Sequence, residues 1–67
     1  MKVLIQKDLL DIAFYTSLFV QITNITPAKI EVKDNIIFIC LNGSLSNKNI
    51  EKIKSYFSSY GLKFEDT

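Results

Sequence analysis

The clearest structural signal in the chain is the segment Ala28–Leu41, which reads AKIEVKDNIIFICL. Apolar and charged residues alternate in its first half, a pattern typical of a strand with one buried face and one wet face. Asp34 and Asn35 tolerate left-handed backbone conformations, and they predict a two-residue turn into the apolar run 36–41. The segment therefore predicts an antiparallel β-hairpin.

The turn also predicts which side chains share a face of the hairpin. With Lys33 opposite Ile36, Val32 lies beside Ile37, and every second residue of the two strands points to the same side. The predicted core face carries five apolar residues, Ile30, Val32, Ile37, Ile39 and Leu41.

The other face of the second strand carries Ile36, Phe38 and Cys40, and Leu4 joins it if Val3 and Ile5 of a short first strand point inward. A sheet face that meets water is usually polar. We therefore interpret these apolar residues, Leu4 included, as a contact with another subunit. The alternative is that a tail or a C-terminal strand of the same chain folds over them.

Two helices are predicted around the hairpin. Asp8 is the predicted N-cap of the first, Asp11 adds negative charge to its first turn, and the helix must end by Thr26-Pro27. Its apolar residues form two stripes rather than one. They are Leu10, Ala13, Phe14 and Leu18 in one stripe, and Leu9, Ile12, Phe19 and Val20 in the other.

The second helix is predicted from a cap at Ser46 or Asn47 to about Tyr60, with Gly61 at a C-terminal position that requires positive φ. Its apolar stripe consists of Ile50, Ile53, Phe57 and Tyr60. The tail 62–67 is either a frayed end or a short final strand.

The predicted element order is β-α-β-β-α, with a possible short final strand. Two-layer packing then places both helices on one face of a small antiparallel sheet, an α+β fold with a ferredoxin-like or KH-like outline. A chain of 67 residues has room for a single small domain, residues 1–67.

Composition narrows the functional classes. The chain has no His and a single Cys, so the usual general base, activated nucleophile and metal ligands are missing, and we expect neither enzymatic activity nor a cofactor or metal. A formal charge of +1 does not fit a strongly basic nucleic-acid binder. The lone Cys40, which cannot form an internal disulfide, and the lack of a signal-like or membrane-spanning run predict a cytoplasmic protein without membrane partners.

Three segments resemble the small Pcc-type subunits of the KEOPS complex: IAFYTSL at 12–18, AKIEVKDNIIFI at 28–39 and IKSYF at 53–57. The similarity covers roughly residues 8–60. Two parts of the family pattern differ, because Phe19-Val20-Gln21 replaces its Pro-Glu and Asn49-Ile50-Glu51 replaces its Leu-Arg-Ala. The chain therefore resembles a divergent paralogue.

This resemblance implies a non-catalytic accessory subunit. Such a subunit pairs with itself or a paralogue and docks its helices on the catalytic subunit, which transfers a threonylcarbamoyl group to an adenosine beside the tRNA anticodon. The resemblance also implies that Tyr15, Ser17 and Leu18 of the first helix are interface residues, although simple core packing is the alternative reading of these positions.

Two further groups of residues are candidate contacts. Tyr56 and Tyr60, four residues apart, predict a partner-facing aromatic pair, with core packing or stacking of the two rings on each other as the alternative. Lys48, Lys52 and Lys54 are possible contacts to tRNA phosphates, weighed against a simple solvated face.

The alternative function is a free-standing KH-like or ferredoxin-like RNA-binding or protein-interaction module. A KH module would need a Gly-x-x-Gly loop, which Gly43 and Gly61 cannot form. A third reading is an inhibitor that adds a strand edge to another protein.

Overall fold

The computed structural model describes residues 1–7, 11–58 and 60–65. In chain order these residues form β1 (Lys2–Gln6), α1 (Ile12–Thr23), β2 (Lys29–Lys33), β3 (Ile36–Cys40), α2 (Asn47–Tyr56) and β4 (Gly61–Glu65). The four strands form one antiparallel sheet in the order β2-β3-β1-β4. The α+β prediction is confirmed, and the sheet order is that of the ferredoxin-like split β-α-β arrangement.

The hairpin forms with the predicted turn and register. Asp34 and Asn35 have φ values of 51° and 62°, the left-handed pair that a type I′ turn requires. Lys33 pairs with Ile36 and Val32 with Ile37, as the turn predicts. The local chemistry of the turn therefore sets which side chains of β2 and β3 face the helices.

The core lies between one face of the sheet and the two helices. Val3 and Ile5 of β1 and Ile37 and Ile39 of β3 are fully buried in the centre of the sheet. The helices and the loop before α2 complete the buried cluster with Phe19, Leu45, Ile53 and Phe57. Since side chains alternate along a strand, the intervening residues of β1 and β3 point away from this core.

The start of α1 differs from the prediction. Asp11 is the N-cap, with extended φ and ψ, and its carboxylate accepts a hydrogen bond of 3.0 Å from the Phe14 amide. It is therefore not a first-turn residue, and the predicted cap Asp8 lies outside the described residues. The helix ends at Thr23, before Pro27 as predicted, because Asn24 takes the left-handed conformation and donates its N–H to the Val20 carbonyl.

The two predicted stripes of α1 are not both buried. Phe19 is fully buried, and Tyr15, Leu18 and Ile22 pack against the core. Ile12 and Phe14, one from each predicted stripe, are 42% and 57% exposed. The helix therefore leaves apolar surface uncovered near its N-terminus.

The end of α2 also differs from the prediction. Ser46 is the N-cap and accepts a hydrogen bond from the Asn49 amide, which selects one of the two predicted caps. The helix ends at Tyr56 rather than near Tyr60, and Gly61 begins β4 without positive φ. The predicted helix end was wrong because the apolar spacing continues past the residue where the chain turns back towards the sheet.

β4 settles the open question about the tail. It pairs with β1 over five residues, from Gln6↔Gly61 to Lys2↔Glu65, and so extends the sheet in its own plane. Leu62 and Phe64 turn towards the core and pack against it. Neither helix of the described residues has the length and apolar content needed to cross a bilayer.

Candidate interaction surface

The sheet face opposite the helices has an apolar centre. Leu4 of β1 lies directly opposite Phe38 of β3, with Ile36 and Cys40 two residues to either side of Phe38. All four side chains are half-buried, and none belongs to the cluster that packs against the helices. β4 lies beside β1 rather than across this face, so within residues 1–7, 11–58 and 60–65 no strand folds over it.

The pairing arranges this open face in three rows that run across the strands. Each row holds one residue of every strand in the order β2, β3, β1, β4. The Cys40 row is Lys29, Cys40, Lys2 and Glu65; the Phe38 row is Glu31, Phe38, Leu4 and Lys63; the Ile36 row is Lys33, Ile36, Gln6 and Gly61. The open face therefore has an apolar centre of Ile36, Phe38 and Cys40 on β3 and Leu4 on β1. Lys2 and Gln6 flank Leu4 on β1, and the two outer strands carry further charged residues.

The β2 side of this face carries an ion pair. The Nζ atom of Lys29 lies 2.6 Å from an Oε atom of Glu31, and both side chains are largely exposed. Their hydrogen bond and mutual attraction raise the pKa of Lys29 and lower the pKa of Glu31. Both groups are therefore held in their charged forms at neutral pH.

A notch interrupts the open face in the Ile36 row. Gly61 has no side chain to place beside Gln6, and a Cβ atom built at Gly61 would lie 3.3 Å from the Gln6 Cβ. A cavity of about 180 Å³ beside this close approach is lined by Leu4, Gln6, Ile36, Gly61, Leu62 and Lys63. This corner of the face can receive a side chain from another molecule.

A second surface lies between the two helices. Leu18 and Ile22 of α1 and Tyr56 of α2 line a groove of about 590 Å³, together with Gln21 and Lys52. Tyr56 is 63% exposed, so its ring stands at the edge of this groove. The predicted interface residue Leu18 is half-buried here, whereas Ser17 is exposed on α1.

The predicted aromatic pair of Tyr56 and Tyr60 does not form, because α2 ends at Tyr56 and Tyr60 lies beyond the helix. Tyr60 instead contacts Tyr15: their rings meet edge to face at 5.2 Å, and their phenol oxygens share a hydrogen bond of 2.6 Å. That hydrogen bond and burial raise the pKa of Tyr15. The Lys7 ammonium lies 4.5 Å from the Tyr60 ring centroid. Tyr15 and Tyr60 therefore bind each other within the chain.

The three candidate phosphate contacts are exposed but do not form one patch. Lys52 lines the groove between the helices, whereas Lys54 lines a different groove of about 430 Å³ between α2 and β4. Lys48 lies one turn before Lys52 on the same side of α2. The lysines thus point to two sides of the helix.

Sequence reasoning did not single out Ile12 and Phe14 as exposed apolar residues, although they are the largest such surface on α1. The sequence feature that could have revealed them is the pair of apolar stripes on α1, because one small core cannot bury two apolar faces of the same helix. Val32, predicted as a core residue, is 45% exposed because β2 is an edge strand.

No three His, Cys, Asp or Glu side chains come together as metal ligands in the part of the chain that the structure describes. Comparison of the chain with protein-family models, curated proteins and solved structures found no match.

Proposed function

We propose that this protein is a non-catalytic assembly subunit that pairs with a like or paralogous small subunit through the open sheet face. The observation that carries the proposal is the apolar centre formed by Leu4, Ile36, Phe38 and Cys40 on a face without a covering layer among the described residues. Contiguous apolar patches of this kind, rimmed by polar residues, mark protein–protein contacts.

The proposal extends to a larger partner on the helical side. The groove lined by Leu18, Ile22 and Tyr56, together with the exposed Phe14, offers apolar contact area on the layer opposite the open face. The resemblance to Pcc-type subunits implies that this partner is the catalytic subunit of KEOPS, which makes threonylcarbamoyladenosine in tRNA. One face would then serve pairing, and the other would serve docking on the enzyme.

Sedimentation velocity of the purified chain tests the pairing. Phe38→Asp places a charge in the centre of the open face, and we expect it to convert a dimer to a monomer with unchanged helix content by circular dichroism. Phe14→Asp is the matched control, because it changes an equally aromatic, exposed residue on the helical side. A wild-type monomer, or dissociation caused equally by both variants, would contradict the proposal.

The enzyme assignment needs a separate experiment. Co-expression with the KEOPS catalytic subunit should yield a complex that survives gel filtration, and Tyr56→Asp should weaken it while Phe38→Asp should not prevent it. In cells without the gene, the threonylcarbamoyladenosine content of tRNA should fall when measured by mass spectrometry. Unchanged modification and no complex would remove KEOPS while leaving pairing intact.

RNA binding on the open face is the second candidate. A four-stranded sheet with an aromatic residue at its centre is how one common class of RNA-binding domain stacks bases, and Phe38 occupies such a position. Against it, Glu31 and Glu65 lie in the same rows as the lysines and repel phosphate. Filter binding of the isolated chain to bulk tRNA at physiological salt should therefore show little retention.

A further inference from the structure

The charges on the outer strands of the open face follow a reversed order. In the Cys40 row the β2 residue is Lys29 and the β4 residue is Glu65, whereas in the Phe38 row the β2 residue is Glu31 and the β4 residue is Lys63. Each of these rows thus carries opposite charges at its two ends. A second copy, turned so that its β2 lies over β4, would meet an opposite charge at every one of these positions.

Symmetric face-to-face packing of two aligned sheets allows two orientations of the two-fold axis. An axis parallel to the strands places each row over the same row of the other copy in reverse order. Lys29 then faces Glu65, Glu31 faces Lys63, and Phe38 faces Leu4.

An axis perpendicular to the strands, in the plane between the sheets, places each strand over the same strand of the other copy, running in the opposite direction. Glu31 then faces Glu31, Lys63 faces Lys63, and Lys29 faces Lys33. All of these contacts bring like charges together, which disfavours that orientation.

We propose that the occupant of the open face is a second copy of this chain, packed with the two-fold axis parallel to β1 and β3. The inference rests on the proposed function, because it specifies the partner of the same face. Four ion pairs form around the apolar centre, two of Lys29 with Glu65 and two of Glu31 with Lys63. The Lys29–Glu31 pair within each copy joins them into two networks.

The notch at Gly61 fits the same arrangement. In the Ile36 row, reversal places Lys33 of the second copy over Gly61, which lines the cavity of about 180 Å³. Gly61 itself presents no side chain to the incoming lysine. In the Ile36 row, the position without a side chain therefore lies opposite the long side chain of Lys33.

Sheet twist does not break the charge pairing. Aligned sheets cross at about 30°, and the outer strands lie about 7 Å from the axis, so facing residues are displaced by about 4 Å in the Phe38 row and about 5 Å in the Cys40 row. Lys and Glu side chains span those distances. The pairs at the rim set the orientation, while the apolar centre supplies most of the attraction.

The size of the face predicts a reversible dimer. Five residues at about 3.3 Å and four strands at about 4.8 Å give a face of about 17 by 19 Å, or about 650 Å² for the two copies together, which is below the size of stable specific interfaces and in the range of weak contacts. We therefore expect a concentration-dependent dimer that is weakened by salt, because exposed ion pairs are screened.

Charge exchange within a strand tests the orientation without altering the net charge. The β2 exchange, Lys29→Glu with Glu31→Lys, keeps an ion pair inside each copy but places like charges opposite Glu65 and Lys63. The β4 exchange, Lys63→Glu with Glu65→Lys, likewise places like charges opposite Glu31 and Lys29. The combined four-residue exchange restores every pair.

Sedimentation equilibrium at low salt measures the result. Each exchange alone should raise the dimer dissociation constant at least about tenfold, the combined exchange should return it to within about threefold of wild type, and the differences should shrink in about 1 M salt. Circular dichroism should show the same fold in all variants.

Two outcomes would overturn the inference. The first is that the single exchanges have no effect, or that the combined exchange leaves the dimer as weak as the single exchanges do. The second copy would then pack in another orientation. If Phe38→Asp still dissociates the dimer in that case, the proposed function stands. The second is that the wild-type chain stays monomeric at every concentration, which would contradict both this inference and the proposed pairing.

Discussion

Two tyrosines show how single residues connect distant parts of this chain. Tyr15 lies on α1 and Tyr60 lies 45 positions later, just before β4, yet their hydroxyls share a hydrogen bond and their rings pack edge to face. Phe57 adds a third ring, 6.1 Å from Tyr15 and 5.6 Å from Tyr60. The aromatic cluster therefore joins α1 to the chain between α2 and β4.

We expect Tyr60→Phe to lower the pKa of Tyr15 towards its ordinary value, because the hydrogen bond to Tyr60 is the largest cause of the raised pKa. A pKa raised in the folded state contributes stability below the unfolded value, and that contribution is lost as the pH rises through the folded value. The free energy of unfolding should therefore fall above about pH 10 more steeply in wild type than in Tyr60→Phe.

Absorbance titration of phenolate and urea unfolding from pH 8 to 12 would check this. Tyr56→Phe is the matched control, because it removes a phenol that is 63% exposed and lies outside the cluster. Equal slopes in wild type and Tyr60→Phe would argue against a structural role for the hydroxyl contact.

At the scale of elements, the caps define where the helices begin. Asp11 and Ser46 each have extended φ and ψ and accept a hydrogen bond from the amide three residues later. Each cap satisfies one of the amides that a helix N-terminus leaves unpaired, and Asp11 also brings negative charge to the positive end of the α1 dipole. These short contacts fix the ends of elements whose faces are set by long-range packing.

Replacing the α1 cap should destabilise the fold measurably. Asp11→Ala should lower the free energy of unfolding by about 1 kcal/mol, the usual cost of losing a capping side chain. Asp11→Asn retains an acceptor oxygen and should lose less. Urea unfolding of both variants beside Asp8→Ala separates the two acidic residues, and a larger loss for Asp8→Ala would return the cap to the residue that the sequence favoured.

At the scale of the whole molecule, the sheet depends on its last strand. β4 lies on the outside of β1, and its residues Leu62 and Phe64 pack against the core beside Ile5 and Val3. Without β4, the central strand β1, which carries the fully buried Val3 and Ile5, would become an edge. A sequence of this length has roughly 3–10 kcal/mol of total stability, so the loss of two packed apolar side chains is a large part of it.

We therefore expect a chain truncated after Tyr60 to lose cooperative unfolding. Thermal melts followed by circular dichroism should show a broad, non-cooperative change in the truncated chain. Lys63→Ala, which changes a β4 side chain on the open face and leaves the strand in place, should melt close to wild type. A truncated chain with a sharp melt near the wild-type temperature would mean that three strands suffice.

The sequence specified the hairpin and its faces more fully than it specified the ends of the helices. The Asp34-Asn35 turn and the alternation beside it are local signals, and one turn type fixes the register for both strands. The start of α1 was ambiguous because two acidic residues three positions apart can each cap a helix. The placement of β4 depends on pairing with a strand more than fifty residues earlier, which a short alternating tail does not reveal.

The candidate surface could also be predicted where it depends on local signals, and not where it depends on long-range pairing. Leu4, Ile36 and Phe38 were assigned to the open face from register alone, and the structure places them there. The pairing of Tyr60 with Tyr15 was not foreseen, because it depends on where α2 stops rather than on spacing along a helix. The notch at Gly61 arises only when β4 is laid beside β1.

The charged edge strand bears on how this protein behaves when it is concentrated. β2 ends the sheet on one side, and Lys29, Glu31 and Lys33 follow one another along it. Charged side chains on an edge discourage strands of other molecules from adding to it. The growth of fibrils by strand addition at the β2 edge is thereby opposed, even in a concentrated solution.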